Sequence, residues 1–280
     1  MNLGLNQVSS AINIVEQQNS PYLAAVISAK LSLPSAVALA VYRRTLHSDQ
    51  LESAETIGRI ESPLLAEIDS RINQQQQARS SKNSLFTKQE REIYMVRNPQ
   101  DLTSNEFDFF CDRFRRSITN GKKGEGFINL REAFFEMTDN VVSHAGVSSD
   151  DPSLFGIAAY EATPAGGCFT VCDSGCGFVR SLRLNPRWQG ITTHKEAISA
   201  VVLRQATSRL SETTGGGFKG LFAALVQLNS VTLLRTGDSF ASITTTSGGP
   251  QITFQASKMI TGSQVSVLFS TTGHPSEKFH

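Results

Sequence analysis

Residues 134–146 read FFEMTDNVVSHAG, and the spacing of three polar side chains in this stretch decides how the chain is interpreted. Glu136, Asn140 and His144 follow one another at intervals of four residues. Because four residues turn an α-helix by about 400°, these side chains lie close to one stripe of a helix, and apolar residues occupy the opposite side. Such a stripe is typical either of an exposed polar face or of a helix that holds a charged group.

Two further stretches follow in the chain. CDSGCGF (172–178) begins where an apolar run ends at Asp173, and this run predicts a buried strand. TTGGGFKGL (213–221) predicts a glycine-rich loop that leads into a helix. Taken alone, the first stretch is typical of a β-turn and the second of a flexible linker.

In this order the three stretches resemble the N, G1 and G2 boxes of the GHKL ATPase superfamily. That superfamily includes gyrase, the MutL proteins, the large heat-shock chaperones, histidine kinases and the anti-sigma-factor kinases. The resemblance covers residues 105–271 and is closest to the small regulatory ATP-binding proteins, whose first box reads E-x-x-x-N-x-x-x-H-A. The glycine box departs from the usual G-x-G-x-G-L by one extra residue, which leaves the register of its glycines open.

The resemblance implies an α+β fold, a two-layer α/β sandwich of the Bergerat type with an antiparallel-rich sheet covered on one face. A small helical module is expected ahead of it, over residues 1–95 with a polar linker near 73–84, and the ATP-binding domain over 96–280. The expected helices cover residues 8–17, 23–31, 35–46, 63–72, 87–96, 105–119 and 130–145, with another near 196–210. The expected strands cover 154–160, 168–172, 231–235, 240–246, 251–254 and 264–269.

The residue types in the first box suit a magnesium nucleotide. Mg²⁺ prefers oxygen ligands, so Asn140 is the candidate metal ligand, with the remaining positions left to phosphates and water. Glu136 is the candidate catalytic residue, because phosphoryl transfer needs one well-placed carboxylate to orient or deprotonate the nucleophile. His144 could face the phosphates or cap the end of the helix.

The second box and the end of the chain offer groups for the base. The Asp173 carboxylate can accept a hydrogen bond from the exocyclic amine of adenine, whereas guanine presents a carbonyl there. Gly175 and Gly177 allow a tight turn and close approach of a flat ring. Ser263 stands where the family often has a threonine near the adenine.

The third box offers groups for the phosphates, because free amides at a helix N-terminus attract anions. The candidate cofactor-binding residues there are Gly215, Gly216, Gly217, Lys219 and Gly220. Between the second and third boxes the family has an ATP lid, and the arginines of residues 180–214 could neutralise phosphate charge or simply lie on the surface.

Composition narrows the functional classes. The chain has 280 residues and a formal net charge of +1, with interspersed charges, so no general nucleic-acid footprint is indicated. Three of the four cysteines surround the second box on one strand and its turn, which disfavours a metal centre and is typical of reduced thiols in a cytosolic protein. No signal peptide is expected, and the apolar window 22–42 is interrupted by Lys30 and Pro34, which favours two buried helices over a membrane span.

The sequence therefore predicts a cytoplasmic, bacterial-type regulatory protein that binds ATP and Mg²⁺ and switches a protein partner through lid closure. By resemblance the partner could be an anti-sigma antagonist or a STAS-like protein, and a homodimer is compatible. Hydrolysis of ATP, phosphorylation of a partner Ser or Thr, and binding without turnover all stay open. The alternatives are a non-catalytic nucleotide-gated interaction protein and a sensor histidine kinase, although His47 lacks the expected phosphoacceptor context.

Overall fold

Six antiparallel strands form the centre of the computed structural model, in the order β1-β2-β3-β4-β6-β5. The structure describes residues 33, 36–38, 40–41, 63–77, 84–88, 91–119, 125–145, 155–163, 166–208, 216–226, 228–246 and 248–270. The strands are β1 (Ser84–Lys88), β2 (Arg91–Val96), β3 (Gly156–Thr163), β4 (Gly166–Asp173), β5 (Asn229–Thr246) and β6 (Gly249–Ser270). The helices are α1 (Pro63–Gln77), α2 (Asn105–Thr119), α3 (Glu125–Ala145), α4 (Gly177–Leu182), α5 (His194–Arg204) and α6 (Gly216–Val226), with 3₁₀ turns at Pro99–Thr103 and Pro186–Trp188. The chain is thus of the α+β class.

An aromatic cluster joins the helix layer to one face of the sheet. The rings of Phe114 on α2 and Phe134 on α3 have centroids 4.6 Å apart, and Phe169 of β4 lies 4.9 Å from Phe134. Phe107 and Phe110 extend the cluster along α2 to Tyr94 of the sheet. The predicted helix 105–119 is confirmed with these bounds. The apolar residues that predicted it, at helical spacing, are the ones that form this contact.

The segment 87–96 forms β2 and the end of β1, so the prediction of a helix there is wrong. Tyr94 and Val96 pack in the core on the helix layer, while Ile93 and Met95 belong to a second core on the other face of the sheet. A strand buried on both faces has a continuous apolar run without alternation, so its period does not reveal it. The proposed boundary between residues 95 and 96 falls inside β2, which pairs with β3 from Arg91 to Val96.

The second face of the sheet is covered by helical residues from the N-terminal part of the chain. Leu33, Val37 and Val41 are buried there, together with Leu65 and Ile68 of α1. The sheet residues of this core lie on β2, β3 and the end of β4. The sheet is therefore covered on both faces along these strands, and not on one face as predicted.

The strands β5 and β6 form one long hairpin, where four shorter strands were expected. β6 pairs with β4 only from Ser263 to Ser270, so the remainder of the hairpin continues beyond the sheet as a two-stranded ribbon. The pairing of β5 with β6 shifts register around Gly237, which lets the strand bend without ending. Ala241 and Ile243 of the ribbon share a core with Ile198 of α5.

The other predicted elements divide between the described and undescribed parts of the chain. α1 begins at Pro63 as predicted and ends at Gln77, and the predicted helix 130–145 is confirmed but starts earlier, at Glu125. The predicted helices 8–17 and 23–31 lie outside the described residues, as does His47. Of the predicted linker near 73–84, residues 73–77 belong to α1 and Ser84 begins β1, while residues 78–83 lie outside the described part of the chain. Nowhere in the described ranges is a helix both long enough and apolar enough to cross a membrane.

Candidate functional site

The polar stripe of the first box, Glu136, Asn140 and His144, lies on α3. Glu136 is exposed and Asn140 is half-buried, one turn apart, while Phe134, Met137 and Thr138 are buried in the opposite direction. The side chain of His144 lies outside the described residues, although its backbone completes α3. The structure therefore places Glu136 and Asn140 on a common stripe, as the spacing predicts.

Asp173 ends β4 with a buried carboxylate that is only 3% exposed. One oxygen accepts a hydrogen bond from the amide of Gly175 at 2.8 Å, and the other accepts a short hydrogen bond from the hydroxyl of Ser263. Asp173 and Ser263 face each other in the pairing of β4 with β6, so the sheet register brings together two residues 90 positions apart. Burial raises the pKa of the Asp173 carboxyl to about 6, and the two hydrogen bonds act in the opposite direction.

Gly262 closes one side of this carboxylate. Its φ is +76°, and a Cβ built there would lie 2.0 Å from the carbonyl oxygen of Asp173. Only glycine fits so near to the strand end in that conformation. Gly262 was not among the predicted site residues; the signal that could have found it is its position directly before Ser263.

A second small cluster fixes the turn that follows Asp173. Gly177 has a φ of +70° and begins α4, and the amide of Phe178 donates to the hydroxyl of Thr236 at 3.1 Å. The same hydroxyl donates to the carbonyl of Gly262 at 3.2 Å. Thr236, which sequence reasoning missed, therefore ties the turn of the second box to both β5 and β6.

The glycine box lies largely within a helix. α6 begins at Gly216, so Gly216, Gly217, Lys219 and Gly220 are helical, whereas a loop was expected over the first glycines. Gly215 lies outside the described residues. Lys219 and Gly220 are exposed in the first turns of α6, and Leu221 and Leu225 pack in the core of the helix layer. The amides of the first turn have no partner within the helix itself, which is the usual basis of anion binding.

The helix α3, which carries the first box, contacts the helices that follow the second box and carry the third. α6 packs along α3, and α4, which starts directly after the Asp173 turn, also contacts α3. The structure thus brings Asp173, Gly175, Gly177 and Ser263 into one cluster, and Phe178 of α4 meets Phe218 of α6 with ring centroids 6.3 Å apart. Within the described residues, hydrogen bonds join neither Glu136 nor Asn140 to Asp173.

The segment 174–208, which we call the basic segment, includes the end of the second box and continues toward the third. It carries five basic side chains and one carboxylate. The predicted helix near 196–210 is observed as α5, whose first turn is capped: Thr193 accepts from the amide of Glu196, and the Glu196 carboxylate accepts from the amides of Thr192 and Thr193. These amides lower the pKa of Glu196.

The four cysteines are free thiols. Burial raises the pKa of Cys168 to about 12, so this thiol stays protonated. Among the described residues, no group of three or more His, Cys, Asp or Glu side chains is placed to hold a metal ion. A magnesium ion bound at α3 would therefore take one oxygen ligand from Asn140 and the others from phosphates or water.

Comparisons with known proteins add no assignment to this geometry. No protein-family model matches the chain, and no curated protein matches it either.

Proposed function

We propose that the chain is an ATP-binding regulatory protein of the GHKL type, with the Asp173 cluster as its adenine site. The observation that carries the proposal is the buried carboxylate of Asp173, held between Ser263 and the amide of Gly175 at the end of a central strand. Burial of a carboxylate costs free energy that hydrogen bonds only partly offset, and such costly groups are concentrated at sites that recognise a ligand, here an amine.

Adenine suits this cluster better than guanine. Both carboxylate oxygens are oriented by neighbouring donors, and each oxygen has a second lone pair for a ligand amine. Guanine would present a carbonyl oxygen to the same carboxylate, which is repulsive. Gly262 and Gly177 pack closely on the Asp173 carbonyl and the Thr236 hydroxyl, so a flat base would have to approach the carboxylate beside these two backbones.

The phosphate end of the nucleotide would lie between α3 and α6. The first-turn amides of α6 and the Lys219 ammonium would hold the phosphates. Asn140 would supply one oxygen to Mg²⁺, and Glu136 would orient or deprotonate the attacking nucleophile. In this arrangement the helix layer and the sheet form a Bergerat-type unit, to which the N-terminal helices on the second face are an addition.

The basic segment would act as the lid in this proposal. It starts at the adenine cluster and ends near the undescribed residues before α6, so nucleotide binding at either end would change its position. Such a change would make or release contacts with a protein partner. Glu136 distinguishes turnover from binding alone, because its truncation removes catalysis without removing the adenine cluster.

Calorimetry tests the proposal. The intact protein should bind ATP and ADP with Mg²⁺ and bind GTP much more weakly, and Asp173→Asn should lose this preference. Asp238→Asn, the same change at an exposed position of β5, is the matched control and should keep it. Absence of ATP uptake, or equal binding of GTP by the wild type, would overturn the proposal.

A further inference from the structure

The basic segment has an unusual charge for this chain. Its five basic side chains and one carboxylate give it a net charge of +4, whereas the whole chain carries +1, so the remainder is net negative. The charge is thus concentrated in 35 consecutive residues. A concentration of one sign on an exposed segment steers partners of the opposite sign.

Two of these cations are held in place by a single indole ring. The guanidinium carbons of Arg187 and Arg204 lie 5.2 Å and 5.1 Å from the centroid of Trp188, and both arginines are exposed. No carboxylate pairs with either arginine among the described residues. Cation–π contacts therefore fix both charges and leave their N–H groups available, so less side-chain freedom is lost when a carboxylate binds.

Two exposed leucines accompany these charges. Leu184 is 70% exposed and Leu203 is 58% exposed. Leu203 is next to Arg204, and Leu184 is next to Asn185, whose side chain donates to the carbonyl of Thr207 at 3.1 Å. That hydrogen bond ties the loop before Trp188 to the residues after α5. The exposed leucines and the two guanidinium groups therefore belong to one small unit, which packs around Trp188, Ala197 and Val201.

We infer that Leu184, Arg187, Leu203 and Arg204 form a docking surface for an acidic amphipathic segment of a partner protein. Carboxylates of the partner would pair with the two arginines, and an apolar side chain between them would contact the leucines. Nucleic acid fits less well, because phosphate binding gives the exposed leucines no role. All four residues lie in the basic segment, but the inference rests on their contacts and exposure and not on nucleotide binding, so it stands whether or not ATP binds.

Three fluorescent probes test this surface by anisotropy on the full chain. The first is a short synthetic peptide in which glutamates flank leucines, the second has serine in place of each leucine, and the third is a DNA duplex. We expect the wild type to prefer the first probe and to lose affinity for it as salt concentration rises.

Paired variants locate the binding. Arg187→Gln with Arg204→Gln should weaken binding of the glutamate–leucine peptide about tenfold, the order expected for two exposed ion pairs. Leu184→Ser with Leu203→Ser should remove the preference over the serine peptide. Arg116→Gln and Met259→Ser, exposed positions on α2 and β6, are the matched controls and should change nothing.

Several results would overturn the inference. These are equal affinity for the two peptides, tighter binding of DNA, unchanged binding by the paired variants, or self-association of the wild type that these variants abolish. Calorimetry with ATP on the same proteins separates the two proposals. If the arginine variants lose only ATP affinity and keep peptide affinity, the docking inference is wrong while the nucleotide proposal stands.

Discussion

The carboxyl group of Asp173 is held ionised at neutral pH against the cost of its burial. Its pKa in the folded protein is about 6, compared with an ordinary value of 3.8. Between these two values the folded protein binds a proton that the unfolded chain has released, so the contribution of Asp173 to stability falls as pH rises through this window. Each pKa unit corresponds to about 1.4 kcal/mol, so the net effect of burial and hydrogen bonds on stability above this window is on the order of 3 kcal/mol.

Asp173→Asn should therefore fold at least as stably as the wild type at pH 7.5. The stability difference in favour of the variant should shrink as pH falls from about 6 to about 4, because the folded wild-type carboxyl takes up a proton there while the unfolded chain stays largely ionised. Urea unfolding of both proteins across this pH range measures the difference. A variant that is much less stable than the wild type at pH 7.5 would show that the hydrogen bonds outweigh the burial.

Gly262, which lies against Asp173, can be compared with Gly190 of the basic segment, which lies in open space. Gly262→Ala should destabilise the protein by at least about 2 kcal/mol, because its φ is +76° and the new Cβ would meet the carbonyl of Asp173. Gly190→Ala should change stability by less than about 0.5 kcal/mol, since a Cβ there meets nothing within 4 Å. Thermal unfolding followed by circular dichroism checks both, and equal effects would contradict the geometry.

At the scale of elements, a buried ion pair joins β2 to α2. The Glu92 carboxylate, 2% exposed, accepts hydrogen bonds from the Arg113 guanidinium at 2.9 and 2.5 Å and from the hydroxyl of Tyr160 at 2.8 Å. The hydrogen bond to Glu92 raises the pKa of Arg113. Burial and then Glu92 raise the pKa of the Tyr160 hydroxyl, so it stays protonated and donates.

Arg113→Met should cost about 3 kcal/mol of stability, because it leaves the Glu92 carboxylate buried without its counter-ion. Arg91→Met is the matched control, at the residue before Glu92 on β2. Its partner Glu161 is 36% exposed, and such exposed pairs contribute at most about 1 kcal/mol. Chemical unfolding of both variants tests the contrast. A double variant, Glu92→Leu with Arg113→Met, should recover part of the loss.

The elements that the sequence predicted well are those whose apolar spacing or whose end is marked in the residues themselves. α2 has the predicted bounds because its apolar residues recur at helical spacing, and Asp173 closes a strand because an apolar run ends there. β2 was missed because both of its faces are buried and charged residues precede it. β5 and β6 were divided into shorter strands because Gly237 and Gly262 suggest breaks, whereas in the structure they allow a positive φ within a continuous strand.

At the scale of the whole molecule, the two faces of the sheet share strands β2, β3 and β4. Ile157 and Ala159 of β3 face the core with α1, while Ala158 and Tyr160 face the helix layer. Because alternate residues of one strand belong to two cores, neither core can open without disturbing the other.

Leu65→Ala on α1 should therefore destabilise the entire sheet and not only the N-terminal helices. Leu65 is fully buried, so the expected cost is about 3 kcal/mol, and unfolding should stay a single transition. Leu64→Ala, the half-buried neighbour on the same helix, should cost less. Two separate transitions in calorimetric melting would indicate that α1 belongs to an independent unit.

The sequence named Asp173 and Ser263 as candidates for one site but could not predict how they come together. The pairing of Asp173 with Ser263 depends on which residue of β6 stands opposite the end of β4, and this register is set by the whole hairpin and not by a local pattern. Thr236 was missed for the same reason, because only the topology brings β5 to the turn after Asp173. The start of α6 at Gly216 was missed because its packing on α3 outweighs the low helix propensity of glycine.

Trp188 is the only tryptophan in the chain, and it lies beneath Arg187 and Arg204. Intrinsic fluorescence of the protein, excited selectively at the indole, therefore originates from one known place. Because both guanidinium groups lie close to the ring, any molecule that draws them away alters the surroundings of the emitter. The native protein thus has a label-free optical signal for events at this segment, without an introduced dye.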